Sequence, residues 1–197
     1  MNQASAASAP NDGQPASAYF IDENREVEHR ATLALIVANE PGTLARVVGL
    51  FSGRGYNIES LTVSETEHEA HLSRITIVTR GTDKVLAQIK AQLARLVPVH
   101  KVVDVSEAAR AGGHEKAIER ELALVKVSGT GQNRLESLRL AESFEAKVVD
   151  ATTGHFVFEI TGRSNKVEQF IAIMQPLGLI EVARTGIAAV NRGPDGL

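Results

Sequence analysis

The sequence has no cysteine and no tryptophan, and aromatic residues fill only 4% of its 197 positions. Without cysteine there is no disulfide, no thiolate nucleophile and no cysteine-ligated metal, and the chain fits a reducing compartment. With so few rings, any core must be built from Val, Ile, Leu and Ala. No apolar run approaches the roughly 20 residues that a membrane-spanning helix requires. Neither sign of charge is in excess: 21 Lys and Arg stand against 24 Asp and Glu, for a formal net charge of −3. Nucleic-acid binding normally leaves a basic footprint, and there is none. The first twenty residues, "MNQASAASAPNDGQPASAYF", lack the apolar core and basic flank of a secretory signal. G-x-S-x-G, H-E-x-x-H and the P-loop are also missing. These absences lead us to expect a soluble, cytoplasmic protein that binds neither nucleic acid nor membrane.

What is present is a hydrophobic fraction of 43%, enough for a packed core, arranged in two similar halves. Residues 1–28 are rich in Ala, Ser, Pro and Gly and read as a disordered N-terminal arm. Near its end an apolar triplet, Tyr19-Phe20-Ile21, precedes the acidic Asp22-Glu23. "RATLALIVA" then has the β-branched, apolar character of a buried strand. Leu44, Val47, Val48 and Phe51 follow at i, i+3, i+4 and i+7, the stripe of one helix face. "IESLTVSET" and "LSRITIVT" read as strands joined by the polar link "EHEAH". Gly81-Thr82-Asp83 is a turn with a helix cap, and Val85, Leu86, Ile89, Leu93 and Leu96 make a second amphipathic helix before the strand "VHKVVDV". After a linker broken at Gly112-Gly113, the same order recurs: strand "ELALVKVSG", a helix with Leu135 and Leu138, strands "AKVVDAT" and "HFVFEITG", a helix with Val167, Phe170, Ile171 and Met174, and a last strand "LIEVARTGIAAV". The expected fold is α+β, two tandem ferredoxin-like βαββαβ units over residues 29–106 and 121–197 with a linker at 107–120. Such a sheet carries helices on one face, so its bare face and edges call for a subunit interface.

The turn Asn39-Glu40-Pro41-Gly42 opens the first helix. The first N–H groups of a helix lack intrahelical partners and the helix dipole adds positive potential, so a carboxylate or phosphate can bind there. Gly42 allows close approach, and Pro41 sets the entry without giving up a needed donor. Asn39 and Asn57 each offer an amide donor and acceptor, which suits a zwitterion. A helix cap at Asn39 and a plain turn at Asn57 explain the same residues, and the pattern alone leaves both open. Elsewhere the chemistry is thin. "GTGQN" at residues 129–133 is only G-x-G and reads as a turn. His68 and His71 share a hairpin loop with no third ligand and read as solvated. Arg46, Arg54, Arg74 and Arg80 are expected at the surface, some available to an acidic partner. No catalytic and no metal-binding residue is assigned, so the chain reads as a binding module rather than an enzyme.

The string "NEPGTLARVVGLFSGRGYNIESLTV", continued by "LSRITIVT", "KVLAQIKAQLARLVPVHKVVDV", "ERELALVKV" and "IEVARTGIAAVNRG", resembles the small, regulatory subunits of acetolactate synthase over residues 29–193. The resemblance implies an N-terminal ACT domain and an ACT-like C-terminal domain, with two ACT domains pairing side by side into a homodimer. It implies valine or another branched-chain amino acid bound at that interface. It places Asn39 and Gly42 at effector positions, Thr43 and Leu44 as the helix-end amides for the carboxylate, and Asn57 and Ile58 as the partner chain's contribution. The implied partner is the large catalytic subunit, which holds thiamine diphosphate, Mg and FAD, whereas no cofactor is expected in this chain. The implied role is activation of that subunit and feedback inhibition in branched-chain amino-acid biosynthesis. A free-standing ACT-domain sensor of amino acids, acting on a different partner such as a transcription factor, is the alternative.

Overall fold

The computed structural model describes residues 27–67, 71–107, 117–192, 194 and 196–197. The arm expected over residues 1–28, except Val27 and Glu28, lies outside the described residues, as do His68 to Ala70 of the hairpin link and the Gly112-Gly113 break.

The first unit runs β1 (His29–Ala38), α1 (Thr43–Gly53), β2 (Ser60–Glu67), β3 (Leu72–Gly81), α2 (Asp83–Leu93) and β4 (Val99–Asp104). Its strands are all antiparallel, in the spatial order β2-β3-β1-β4. β1 and β3 are central and accordingly apolar. Because side chains alternate across a strand, Leu33, Leu35, Ile75 and Ile77 face the helices and pack with Val47, Phe51, Leu86, Ile89 and Leu93. The α2 cap expected at Thr82 is formed, its hydroxyl accepting the Val85 N–H at 3.4 Å.

The second unit repeats the plan with β5 (Ala117–Ser128), α3 (Gly131–Ser143), β6 (Lys147–Ala151), β7 (His155–Gly162), α4 (Ser164–Met174), a 3-10 turn (Gln175–Leu177) and β8 (Leu179–Arg184), in the order β6-β7-β5-β8. The α+β, twice-βαββαβ expectation is thus met. The core of this unit is where the few aromatics gather: Phe158 lies 5.6 Å from Phe156 and 6.0 Å from Phe170 between ring centroids. No described helix is long and apolar enough to cross a membrane.

Three local expectations change. The last strand is two: β8 ends at Arg184, Gly186 adopts φ +82°, and β9 (Ala188–Asn191) leaves the β8 ladder to pair with residues 117–120. Those four residues are therefore strand rather than linker, forming the first third of β5. In α3 the buried positions are Ser137 and Ala141, while Leu135 is 67% exposed. Small residues are what this helix buries most completely, and the Ser137 hydroxyl is satisfied by donating to the Arg134 carbonyl at 3.0 Å. Finally, the bare face of the first sheet is covered in part by the chain itself. Ala34 and Val78 on that face pack with Val105, Ile187 and Ala189, and Arg74 donates to the Ala189 carbonyl at 2.5 Å. The second unit is thus seated on the first through its C-terminal segment.

Candidate functional site

The turn after β1 is held by two strand-end bonds. The Ala38 N–H donates to the Pro98 carbonyl at 2.8 Å and the Asn39 N–H to the His71 carbonyl at 2.7 Å. Asn39, Glu40, Pro41 and Gly42 are all exposed. Gly42, the residue before α1, has φ +88°, and a Cβ built on it would meet nothing within 4 Å. The ground in front of the helix end is therefore open. The Thr43 N–H is turned into the structure, donating to the Glu40 carbonyl at 3.2 Å, and the Arg46 N–H begins the helical ladder at Gly42. The amides between them, on Leu44 and Ala45, have no backbone acceptor among the described residues. With no acidic residue in the first turn of α1, two free donors and the positive end of the dipole face solvent together. Leu44, 41% exposed, supplies an apolar surface beside them.

Asn57 and Ile58 are set by different contacts. Tyr56 returns its N–H to the Phe51 carbonyl at 3.0 Å and packs edge-on against the Phe51 ring. The Thr79 hydroxyl then donates to the Asn57 carbonyl at 2.6 Å. Asn57 is exposed, and Ile58 is half-buried against the core. Tyr56 and Thr79 are anchors that sequence reading missed, because the one reads as a loop aromatic and the other as an ordinary strand threonine.

Register decides the relation between these two clusters. Asn39 follows the pair Ala38↔Leu72, whereas Asn57 is tied to Thr79, which pairs with Ala31. Eight strand residues separate the two levels, about 26 Å at the rise of a β-strand. The Asn39–Leu44 cluster and the Asn57–Ile58 cluster stand at opposite ends of one sheet, and a single chain cannot close one small-molecule pocket from both. β2, which begins just after Ile58, is an edge strand whose backbone ladder, among the described residues, is with β3 alone. A second sheet joined antiparallel along that edge would bring the opposite ends of two chains together.

The other motifs resolve into structural parts. At Gly129-Thr130-Gly131 the Arg134 guanidinium folds back to donate to the Gly129 and Thr152 carbonyls at 3.2 and 2.8 Å, and it lies 4.1 Å over the Phe156 ring. The loop is pinned rather than held open for a phosphate. His155 bridges Thr152 and Asp150, with Nδ1 2.9 Å from Oγ1 and Nε2 2.8 Å from Oδ2. The Thr152 hydroxyl also accepts the Gly154 and His155 amides, which makes the group a hairpin lock. His68 lies outside the described residues, and among those described no three His, Asp or Glu side chains gather to hold a metal.

A cavity of about 460 Å³ opens between the two units, with Arg30, Arg80 and Arg184 in its lining. Each guanidinium there already holds a carboxylate. Arg80 lies 2.5 Å from Glu59, Arg30 reaches Glu59 at 3.5 Å and Glu119 at 3.4 Å, and Arg184 joins Glu121 and Glu168. Glu59 pushes the Arg80 pKa up by its hydrogen bond and charge, and burial pushes that of Arg74 down. Of these pairs only Arg30–Glu119 spans the two units, and the cavity is left with no unmet arginine to recruit a ligand.

Comparison with known proteins meets this geometry from the other side. Residues 33–101 match the family model of the "AHAS small subunit-like ACT domain", and residues 120–193 match "Small subunit of acetolactate synthase". The acetolactate synthase isozyme 3 small subunit of Escherichia coli (strain K12) is 42% identical over 165 residues, covering 83% of this chain and 96% of its own length. The acetolactate synthase small subunit of Haemophilus influenzae is 43% identical over the same length, with the same coverage. The crystal structure of an acetolactate synthase small subunit from Thermotoga maritima superposes with a TM-score of 0.75 at 38% identity, covering 85% of this chain and 99% of that one.

Proposed function

The chain belongs to the family of acetolactate synthase small subunits, and from that premise we propose that it is a feedback sensor whose two half-sites combine across a homodimer to bind valine or a related branched-chain amino acid. The observation that carries the proposal is the separation of the Asn39–Leu44 and Asn57–Ile58 clusters to opposite ends of a sheet with an unpaired β2 edge. In the assembled site the effector carboxylate sits on the free Leu44 and Ala45 amides at the positive end of α1. The Asn39 and Asn57 side-chain oxygens, one from each chain, accept from the ammonium. Leu44 and Ile58 face the aliphatic side chain. An apolar pocket separates such side chains by only about 1–3 kcal/mol per methylene, so related effectors compete.

Regulation then passes to the large catalytic subunit, whose chemistry rests on its own thiamine diphosphate, Mg and FAD. The effector shifts the assembly only by its differential affinity for two arrangements of the dimer. The turn at residues 185–187 offers a route for that shift. Its Ile187 N–H donates to the Ser60 hydroxyl at 3.2 Å, at the start of β2, so a movement of the β2 edge reaches the second unit directly. A free-standing sensor of another partner is disfavoured because the family match runs through both units, not through the ACT unit alone.

Gly42→Asp tests the site. The position has room for the side chain, and Asp tolerates positive φ better than most residues, so the subunit should fold. Its carboxylate would stand where the effector's must sit. We expect catalytic subunit reconstituted with this variant to be activated as by the parent chain while losing inhibition across a valine titration of pyruvate condensation. Retained valine sensitivity would place the site elsewhere.

A further inference from the structure

The outer helical layer of the first unit carries a groove that effector binding leaves unused. Its volume is about 500 Å³, and it is lined by Arg46 and Leu50 of α1, Arg54 just after it, Gln92 of α2 and Arg95 and Leu96 just beyond its end. Arg46, Leu50 and Arg54 recur every four residues and so form one ridge. Among the described residues none of these three arginines meets a carboxylate, whereas the interdomain arginines are all paired. The Gln92 side-chain oxygen is buried without a hydrogen-bond partner. Three like charges over two leucines call for an occupant that is both apolar and acidic.

The chain carries such a segment next to the groove. Immediately before Val27 runs Tyr19-Phe20-Ile21-Asp22-Glu23-Asn24-Arg25-Glu26, an apolar triplet followed by three acids and one base. Val27 lies at the start of α2, sharing a cavity with Asp83 and Lys84. Gln92 and Leu96 lie eight and twelve residues past Lys84, roughly 12–18 Å along the helix direction. Eight extended residues reach about 26 Å. The segment therefore leaves the fold beside the right helix and is long enough to run its length.

We propose that residues 19–26 dock in the α1–α2 groove of their own chain, with Asp22 and Glu23 on the arginines and Tyr19-Phe20-Ile21 over Leu50 and Leu96. The absence of native tryptophan makes the test direct. Phe20→Trp in the full chain introduces a single reporter, whose emission in the docked arm is shifted to the blue of the denatured protein and is shielded from iodide several-fold. Arg46→Glu with Arg95→Glu, both at exposed positions, returns the emission and quenching to the denatured values while circular dichroism and melting stay those of the parent. Adding Asp22→Arg with Glu23→Arg restores the blue shift, and Arg95→Ala alone removes part of it. A solvent-exposed emission in the Phe20→Trp chain, or a blue shift indifferent to all groove substitutions, overturns the proposal. So does a blue shift that fades on dilution, because the arm would then be seated on a second copy.

Discussion

Two glycines with the same backbone conformation have opposite surroundings. Gly42 and Gly186 both hold φ in the left-handed region, at +88° and +82°. A Cβ on Gly42 meets nothing, whereas one on Gly186 would fall 2.6 Å from Thr62 Oγ1, 3.0 Å from Ser60 Oγ and 3.3 Å from the Leu61 carbonyl. Gly42→Ala should cost only the conformational strain, about 1–2 kcal/mol. Gly186→Ala adds overpacking against β2 and should cost at least about 1 kcal/mol more. Urea denaturation of the pair measures the difference, and equal losses would mean that the 185–187 turn does not press on the first unit. At this scale the turn before α1 was legible, because Pro-Gly before an apolar stripe has few other readings. The Thr79 bond to Asn57 was not, since a strand threonine chooses its partner only when a loop is laid beside it.

Helices and strands announce themselves in proportion to how one-sided their environment is. α2 packs one apolar side against a core and its period located it, while β1 and β3, buried on both faces, were located to within a few residues by their continuous apolar, β-branched runs. α3 fully buries Ser137 and Ala141, seats Leu138 and Leu140 only partly against the core and leaves Leu135 exposed, so its leucine stripe was half a guide. A buried serine and alanine give no hydropathy signal, so the stripe alone could not find them. Two substitutions test the elements on different grounds. Thr82→Ala removes the side-chain cap of α2 and should cost about 1 kcal/mol. Phe158→Ala empties the centre of the second core, where the ring is fully buried between Phe156 and Phe170, and should cost about 3–5 kcal/mol. Thermal unfolding that ranked the two the other way round would mean that the aromatic cluster is not the main support of the second unit.

Across the whole molecule, two copies of one plan are joined by a small apolar cluster, the Arg30–Glu119 ion pair and hydrogen bonds from residues 185–189. Exposed and half-exposed ion pairs contribute little, about 0–1 kcal/mol each, so Ile187, 4% exposed within the cluster, carries more of the junction than Arg30 does. Ile187→Ala should therefore destabilise by about 2–4 kcal/mol. Calorimetry of the variant should show two transitions where the coupled parent shows one, as the units lose their coupling. One undivided transition at the parent temperature would show that the Arg30–Glu119 pair and the hydrogen bonds, not the cluster, hold the units together.

The order of elements, the repeat and the helix-opening turn follow from the sequence alone, because alternation of period two or 3.6 and turn chemistry are local properties of the chain. Three matters needed the tertiary structure: the split of the last strand, the covering of the first sheet by residues 187–189, and the placing of Asn39 and Asn57 at opposite ends of that sheet. Each is a relation between residues distant in sequence, set by strand register and by which face a later segment finds bare, and no local pattern carries that information.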